Sequence, residues 1–109
     1  MAYDETLAQR VRALLDEQEE LSERKMFGGL AFMLRGNMCC GIVGNELMVR
    51  VGPEQYGVAL AQPHARMIDF TGRPMTGMVM VSAEALGSDE HLDVWVAQGV
   101  AYAGSLPAK

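Results

Sequence analysis

Residues 36–51 run Gly36-Asn37-Met38-Cys39-Cys40-Gly41-Ile42-Val43-Gly44-Asn45-Glu46-Leu47-Met48-Val49-Arg50-Val51. Two Gly-Asn pairs frame two short apolar runs. Gly and Asn tolerate the positive φ that two-residue hairpin turns demand, so the spacing predicts antiparallel strands joined by tight loops at Gly36-Asn37 and Gly44-Asn45. In the second run Leu47, Val49 and Val51 alternate with Glu46, Met48 and Arg50, the period of a half-buried strand. Upstream, Lys25-Met26-Phe27-Gly28-Gly29-Leu30-Ala31-Phe32-Met33-Leu34 is also strand-like, with Gly28-Gly29 marking a bend or bulge near its start. Strands over 25–34, 38–43 and 46–51 make a meander.

Helical periods flank it. Leu7, Val11, Leu14 and Leu15 recur at i, i+4, i+7 and i+8, predicting an amphipathic helix over 3–20. Pro53 suits the first turn of a short second helix, which Gln62-Pro63 ends. Residues 66–70 and 76–82 read as two further strands joined by Thr71-Gly72-Arg73-Pro74-Met75. Ser88 is a good N-cap, followed by Asp89 and Glu90 at the positive end of a helix dipole. Leu92, Trp95, Val96, Gly99 and Val100 then carry a last helix toward Gly104. The order is α-β-β-β-α-β-β-α, a two-layer α+β fold with helices packed on one face of a five-stranded, mainly antiparallel sheet.

The chain has 109 residues, enough for one domain over 1–109 with its own core. Its net charge of −5 is uneven: residues 1–20 carry −4, residues 21–75 carry +2 and residues 76–109 carry −3. An acidic total opposes direct nucleic-acid binding, whose affinity comes largely from Lys and Arg. No apolar run approaches the roughly 20 residues of a membrane span. The opening Met-Ala-Tyr-Asp-Glu has neither the basic nor the apolar region of a signal peptide. Adjacent cysteines form no disulfide framework. Together these predict a cytoplasmic location.

Several features resemble the N-terminal domain of the TfoX (Sxy) family. They are Lys25-Met26-Phe27-Gly28-Gly29, Glu46-Leu47-Met48-Val49-Arg50-Val51-Gly52, Phe70-Thr71-Gly72-Arg73-Pro74-Met75 and the late Ser105-Leu106-Pro107. The resemblance runs over essentially the whole chain. It implies a fold similar to the secretion-chaperone type, and a non-enzymatic regulatory role with a protein partner such as a transcription regulator. Longer family members act on transcription of DNA-uptake genes and carry a second, helical C-terminal domain; this chain reads as a stand-alone N-terminal domain. The resemblance supplies no catalytic residues.

The chemistry-bearing residues divide as follows. Alternation along a strand points the Cys39 and Cys40 thiols to opposite faces, which predicts two structural thiols that do not converge. One of the two is expected to be buried and the other partly buried; the alternative is a redox-sensitive or a dimer-linking thiol at either position. Two sulfurs are too few for structural zinc, so no metal or cofactor is expected. His64 and His91 have no nucleophile or carboxylate beside them in a known catalytic spacing. Met48, Met78 and Met80 alternate with the apparent core residues, which predicts a methionine-rich, uncovered sheet face. That face would serve a homodimer or a partner, with Arg50 and Asp69 as polar contacts and Arg35 and Arg73 at nearby turns. Core filling is the competing reading of the methionines. The competing functions are a weak nucleic-acid-binding accessory protein using the basic middle segment, and a thiol-based redox sensor.

Overall fold

Asp4 starts the first helix. Its side chain accepts hydrogen bonds from the backbone N–H groups of Thr6 (2.8 Å) and Leu7 (3.2 Å), satisfying donors that a helix start leaves free. In the computed structural model, which describes residues 3–18, 20–26, 28–68 and 76–107, α1 covers Glu5–Leu15 and buries Leu7, Ala8, Val11 and Leu15. It stops short of the expected residue 20. The following Asp16 and Glu17 meet the negative end of the helix dipole, where acids are unfavourable.

Six strands follow instead of five. β1 (Leu21–Met26), β2 (Gly29–Leu34), β3 (Asn37–Val43), β4 (Glu46–Arg50), β5 (Ala65–Met67) and β6 (Met78–Val81) form one sheet in the order β1-β2-β3-β4-β6-β5, with every pairing antiparallel. The additional strand is β1. Its Ser22, Glu23, Arg24 and Lys25 are all exposed, so it lacks the alternation that betrays a half-buried strand. What reads as one bent strand over 25–34 is a hairpin: Met26 pairs with Gly29, and Gly28, at φ +75°, lies in the turn. Gly29 has another reason to be glycine, since a Cβ there would lie 2.0 Å from the Ile42 carbonyl oxygen.

The two other tight turns separate into one match and one slip. Val43 pairs with Glu46, so Gly44-Asn45 is the loop expected. The first loop is Arg35-Gly36, one residue earlier than Gly36-Asn37, with φ +51° and +82°. Asn37 belongs to β3 and is 1% exposed. Its side-chain amide donates to the Pro107 carbonyl at 2.9 Å, so its polarity serves the C-terminal segment rather than the turn.

All three helices pack on one face. α2 (Tyr56–Leu60) and α3 (Asp89–Gly104) join α1 over a core that includes Phe32, Ile42, Leu47, Val49, Val79 and Val81. Ser88 caps α3 as expected, its hydroxyl accepting from His91 N–H at 3.1 Å. The seat of α3 is a β-bulge. Phe32 pairs with Cys40 and Met33 with Met38, leaving Cys39 as the extra residue. A Cβ on Gly99 of α3 would lie 2.2 Å from the Cys39 carbonyl oxygen, so the helix rests its backbone directly on the bulge.

The opposite face is not uncovered. Met48 and Met80 are buried with Ile68 in a second small core, and Met38, Val43 and Met78 pack against it. Met48 and Met80 thus fill a core, contrary to the exposed face expected of them; Met78 is half-buried. Arg66 reaches Glu46 across this side, with Nη2 2.7 Å from Oε1. On the helix side Arg12 of α1 grips Glu23 of β1 through two hydrogen bonds of 2.7 and 2.8 Å.

Two predictions follow from this packing. Ala at an ordinary helix position gains up to about 1 kcal/mol over Gly, but Gly99→Ala forces a methyl against a backbone carbonyl and should cost about 2 kcal/mol or more in urea unfolding. Gly104, with nothing nearer than 4.0 Å to its Cβ position, is the control: Gly104→Ala should leave stability unchanged or slightly raised. Equal effects would refute the close helix–bulge contact. The second concerns acid. The Arg12 hydrogen bonds hold the Glu23 carboxyl below its ordinary range, against a smaller opposing effect of burial, and Arg66 does the same for Glu46. A depressed carboxylate contributes stability above its unfolded value, about 4.3, and loses it as pH falls through the lower folded value. Glu23→Gln should therefore flatten the fall in urea midpoint below about pH 4.3, and an unchanged acid slope would show the pair to be idle.

Candidate functional site

β4 ends in Arg50-Val51-Gly52-Pro53, and the chain turns sharply there. The backbone N–H groups of Val51 and Gly52 both donate to the Gly77 carbonyl, at 2.8 and 3.0 Å. Gly52 and Gly77 have φ of +88° and +93°, a region closed to most side chains. A Cβ on Gly52 would lie 2.4 Å from the ring of Tyr102. The Tyr102 ring thus lies against the Gly52 backbone, and the Arg50 guanidinium lies 5.3 Å from the ring centroid, within cation–π reach.

Beside this junction opens a recess of about 570 Å³. One wall is the β4–α2 turn, with Gly52, Pro53 and Gln55; the other is the last part of α3, with Gln98 and Tyr102, and Ser105 just beyond its end. Among the described residues, Glu54 is its only charged lining residue. A second recess of about 370 Å³ adjoins it at Gln98 and runs between α2 and α3, past Trp95 and His91. Its lining residues Val58 and Val94 are 60% and 57% exposed. The two recesses lie side by side along α3 and share Gln98; the first is lined by amides and a phenol, and the second by Val58, Val94 and Trp95 together with Gln62 and His91. Such a surface can hold an extended or helical segment, with apolar side chains at Val58 and Val94 and polar groups meeting Gln55 and Gln98.

The expected site residues do not assemble as one patch. Arg50 borders the groove through Tyr102, and Met78 pairs with it across β4 and β6. Arg35 sits in the β2–β3 turn, where its guanidinium donates to the Gly104 carbonyl at 3.0 Å. That places a cation at the negative end of α3, whose own last turn has no basic residue. Met48 and Met80 are buried. Asp69 and Arg73 lie outside the described residues. His91 lines the second recess, while His64 lies near Glu84, Nδ1 to Oε2 3.7 Å. Among the described residues no three His, Cys, Asp or Glu are grouped to hold a metal ion, and no helix is long and apolar enough to cross a membrane.

Cys39 and Cys40 depart furthest from expectation. Both are fully buried, and their sulfurs are 3.9 Å apart. Strand alternation would separate them; the bulge, by making both residues oppose one partner, brings the thiols together. The Cys39 thiol also donates to the Phe32 carbonyl at 3.4 Å. Hydrogen bonding from Cys40 lowers the Cys39 thiol from its ordinary value despite burial, and the same pairing together with burial raises Cys40 well above it.

Gln98 and Tyr102 were not singled out by sequence reasoning, and Gly52 only as the end of the Glu46–Gly52 motif. A glycine between a strand's last valine and a proline is the one available signal, since that position so often requires positive φ. Gly52→Ala should destabilise the domain by about 1–3 kcal/mol, partly through the backbone and partly through the displaced ring. Tyr102→Ala removes the second contribution. The double variant should consequently be more stable than the sum of the two single losses implies, whereas strict additivity would mean that ring and glycine do not meet.

No curated protein matches the chain. The TfoX N-terminal domain profile matches residues 13–103, a span from within α1 to the last turn of α3 that includes Gly52, Gly77, Gln98 and Tyr102. This chain therefore belongs to the TfoX N-terminal domain family.

Proposed function

We propose that this domain is a non-enzymatic regulatory module that works by binding another protein, and that the groove along α3 receives a segment of that partner. The observation that carries the reading is the pair of recesses along α3 that share Gln98, with Val58 and Val94 exposed beside polar Gln55 and Gln98. Exposed valines on both walls of a groove are a surface that gains from being covered. The family supports a regulatory role, a transcription regulator of DNA-uptake genes being the kind of partner its longer members suggest.

Homodimerisation through the methionine face has less support, because Met48 and Met80 already have neighbours within the chain. Direct nucleic-acid binding is also weakened, since Arg12, Arg35, Arg50 and Arg66 each face a carboxylate, a carbonyl or a ring.

The experiment is a quantitative capture from nuclease-treated lysate. Wild type is compared with Ala101→Arg, which places a long charged side chain in the groove from an exposed helix position, and with Val94→Glu. Both variants should fold, and each should lower recovery of the specific partner about tenfold, equivalent to about 1.4 kcal/mol. Undiminished recovery by both variants would remove the groove from consideration. Recovery that vanishes with nuclease in wild type would transfer the reading to nucleic acid.

A further inference from the structure

The thiol pair takes no part in the groove, and its geometry is unusual for two structural cysteines. Cys39 and Cys40 are sequence neighbours on a bulge, with sulfurs 3.9 Å apart. The peptide that links them is also the one on which α3 rests, because the Cys39 carbonyl oxygen fills the space a Gly99 side chain would need. A covalent change at the sulfurs is therefore a change at the seat of the longest helix.

We propose that Cys39 and Cys40 form an oxidation site at which a hydroperoxide converts the two thiols to a disulfide between neighbours, and that the new ring dislodges α3. In the first step the Cys39 sulfur attacks a peroxide oxygen. The S–O bond forms, the O–O bond breaks, and the departing oxygen leaves as water (or as the alcohol of an organic hydroperoxide) with the Cys39 proton. In the second step the Cys40 sulfur attacks the sulfenic sulfur of Cys39. The S–S bond forms, the S–O bond breaks, and hydroxide leaves with the Cys40 proton as a second water. Two electrons pass from the thiols to the peroxide. Hydrogen bonding from Cys40 favours Cys39 as the attacking thiolate.

The consequence for α3 is geometric. Adjacent Cα atoms are about 3.8 Å apart, closer than the roughly 4.4–6.8 Å that disulfides prefer, so the eight-membered ring strains its own peptide. The Cys39 carbonyl projects from that ring. Any rotation of the peptide swings its oxygen toward or away from Gly99, where no slack exists. Strain also makes the bond easy to reduce, as in labile regulatory disulfides. Because both sulfurs are covered, reaction proceeds when α3 lifts, and the disulfide then holds the helix from reseating.

The test uses the purified full chain with hydrogen peroxide under native conditions, then thiol alkylation, intact mass and tandem mass spectrometry. The expected product has lost two hydrogens, about 2 Da, within the Cys39-Cys40 peptide of a monomer, and dithiothreitol restores the original mass. Trp95, buried in α3, should shift its emission to longer wavelength with the same time course. Cys40→Ser should instead gain one oxygen, about 16 Da, at Cys39. The wild-type measurement stands without that variant should it fail to fold. Retention of two alkylatable thiols, or accumulation of disulfide-linked dimers or sulfinic acid instead, would overturn the site. A monomeric disulfide with unchanged Trp95 emission would overturn the link to α3.

Discussion

Helix α3 reaches the sheet only because residue 99 has no side chain and residue 39 interrupts the β2–β3 register. The two irregularities are complementary. The bulge pushes a carbonyl out toward the helix layer, and glycine is the one residue that lets a helix backbone accept it at contact distance. Much of the molecule hangs from this contact. α3 supplies Leu92, Trp95, Val96 and Ala103 to the core and one wall of the groove. Arg35 and Asn37, at the β2–β3 turn, hold its C-terminal end through the carbonyls of Gly104 and Pro107. A small shift at the bulge is passed along a rigid helix to both ends.

The groove depends on a second pair of backbone constraints. Gly52 and Gly77 meet at the end of β4, each in a conformation that a side chain would strain, and their contact leaves a flat place for the Tyr102 ring. Arg50 then covers the ring, an interaction worth about 0.5–1 kcal/mol at such a half-exposed position. The stronger term is the absent Cβ, because a ring cannot occupy space already filled. The groove is thus shaped mainly by what glycine omits, and its specificity is left to Gln55, Gln98 and the exposed valines.

Much of this was legible in the chain. The Gly-Asn spacing announced a meander, and Ser88 with the spacing of Leu92, Trp95 and Val96 announced α3, because turns and amphipathic helices write their periods locally. β1 escaped because an edge strand with both faces wet has no period to write. The slip from Arg35-Gly36 to Gly36-Asn37 has a different cause. Arg35 adopts an unfavourable positive φ that its bond to Gly104 helps to hold, and that bond spans 69 residues of sequence. The bulge was invisible for the same reason. Nothing near Cys39 states that Gly99 will lie over it, so strand alternation assigned the two thiols to opposite faces. Core filling, one of the two readings of the methionines, holds for Met48 and Met80; their pattern could not decide it alone, because Ile68, which joins them in the second core, sits outside it.

Among the described residues the sheet ends in β1 on one side and β5 on the other, and these edges are protected by different means. β5 is only three residues long, too short to template another chain. β1 is six residues long and would be a ready landing site for a foreign strand, were it not for Glu23, Arg24 and Lys25 standing along it. The charges that hid β1 from a pattern search are what keep this small sheet from growing edge to edge. A variant carrying valines at those three positions would read more clearly as a strand, and it would be far more prone to aggregate.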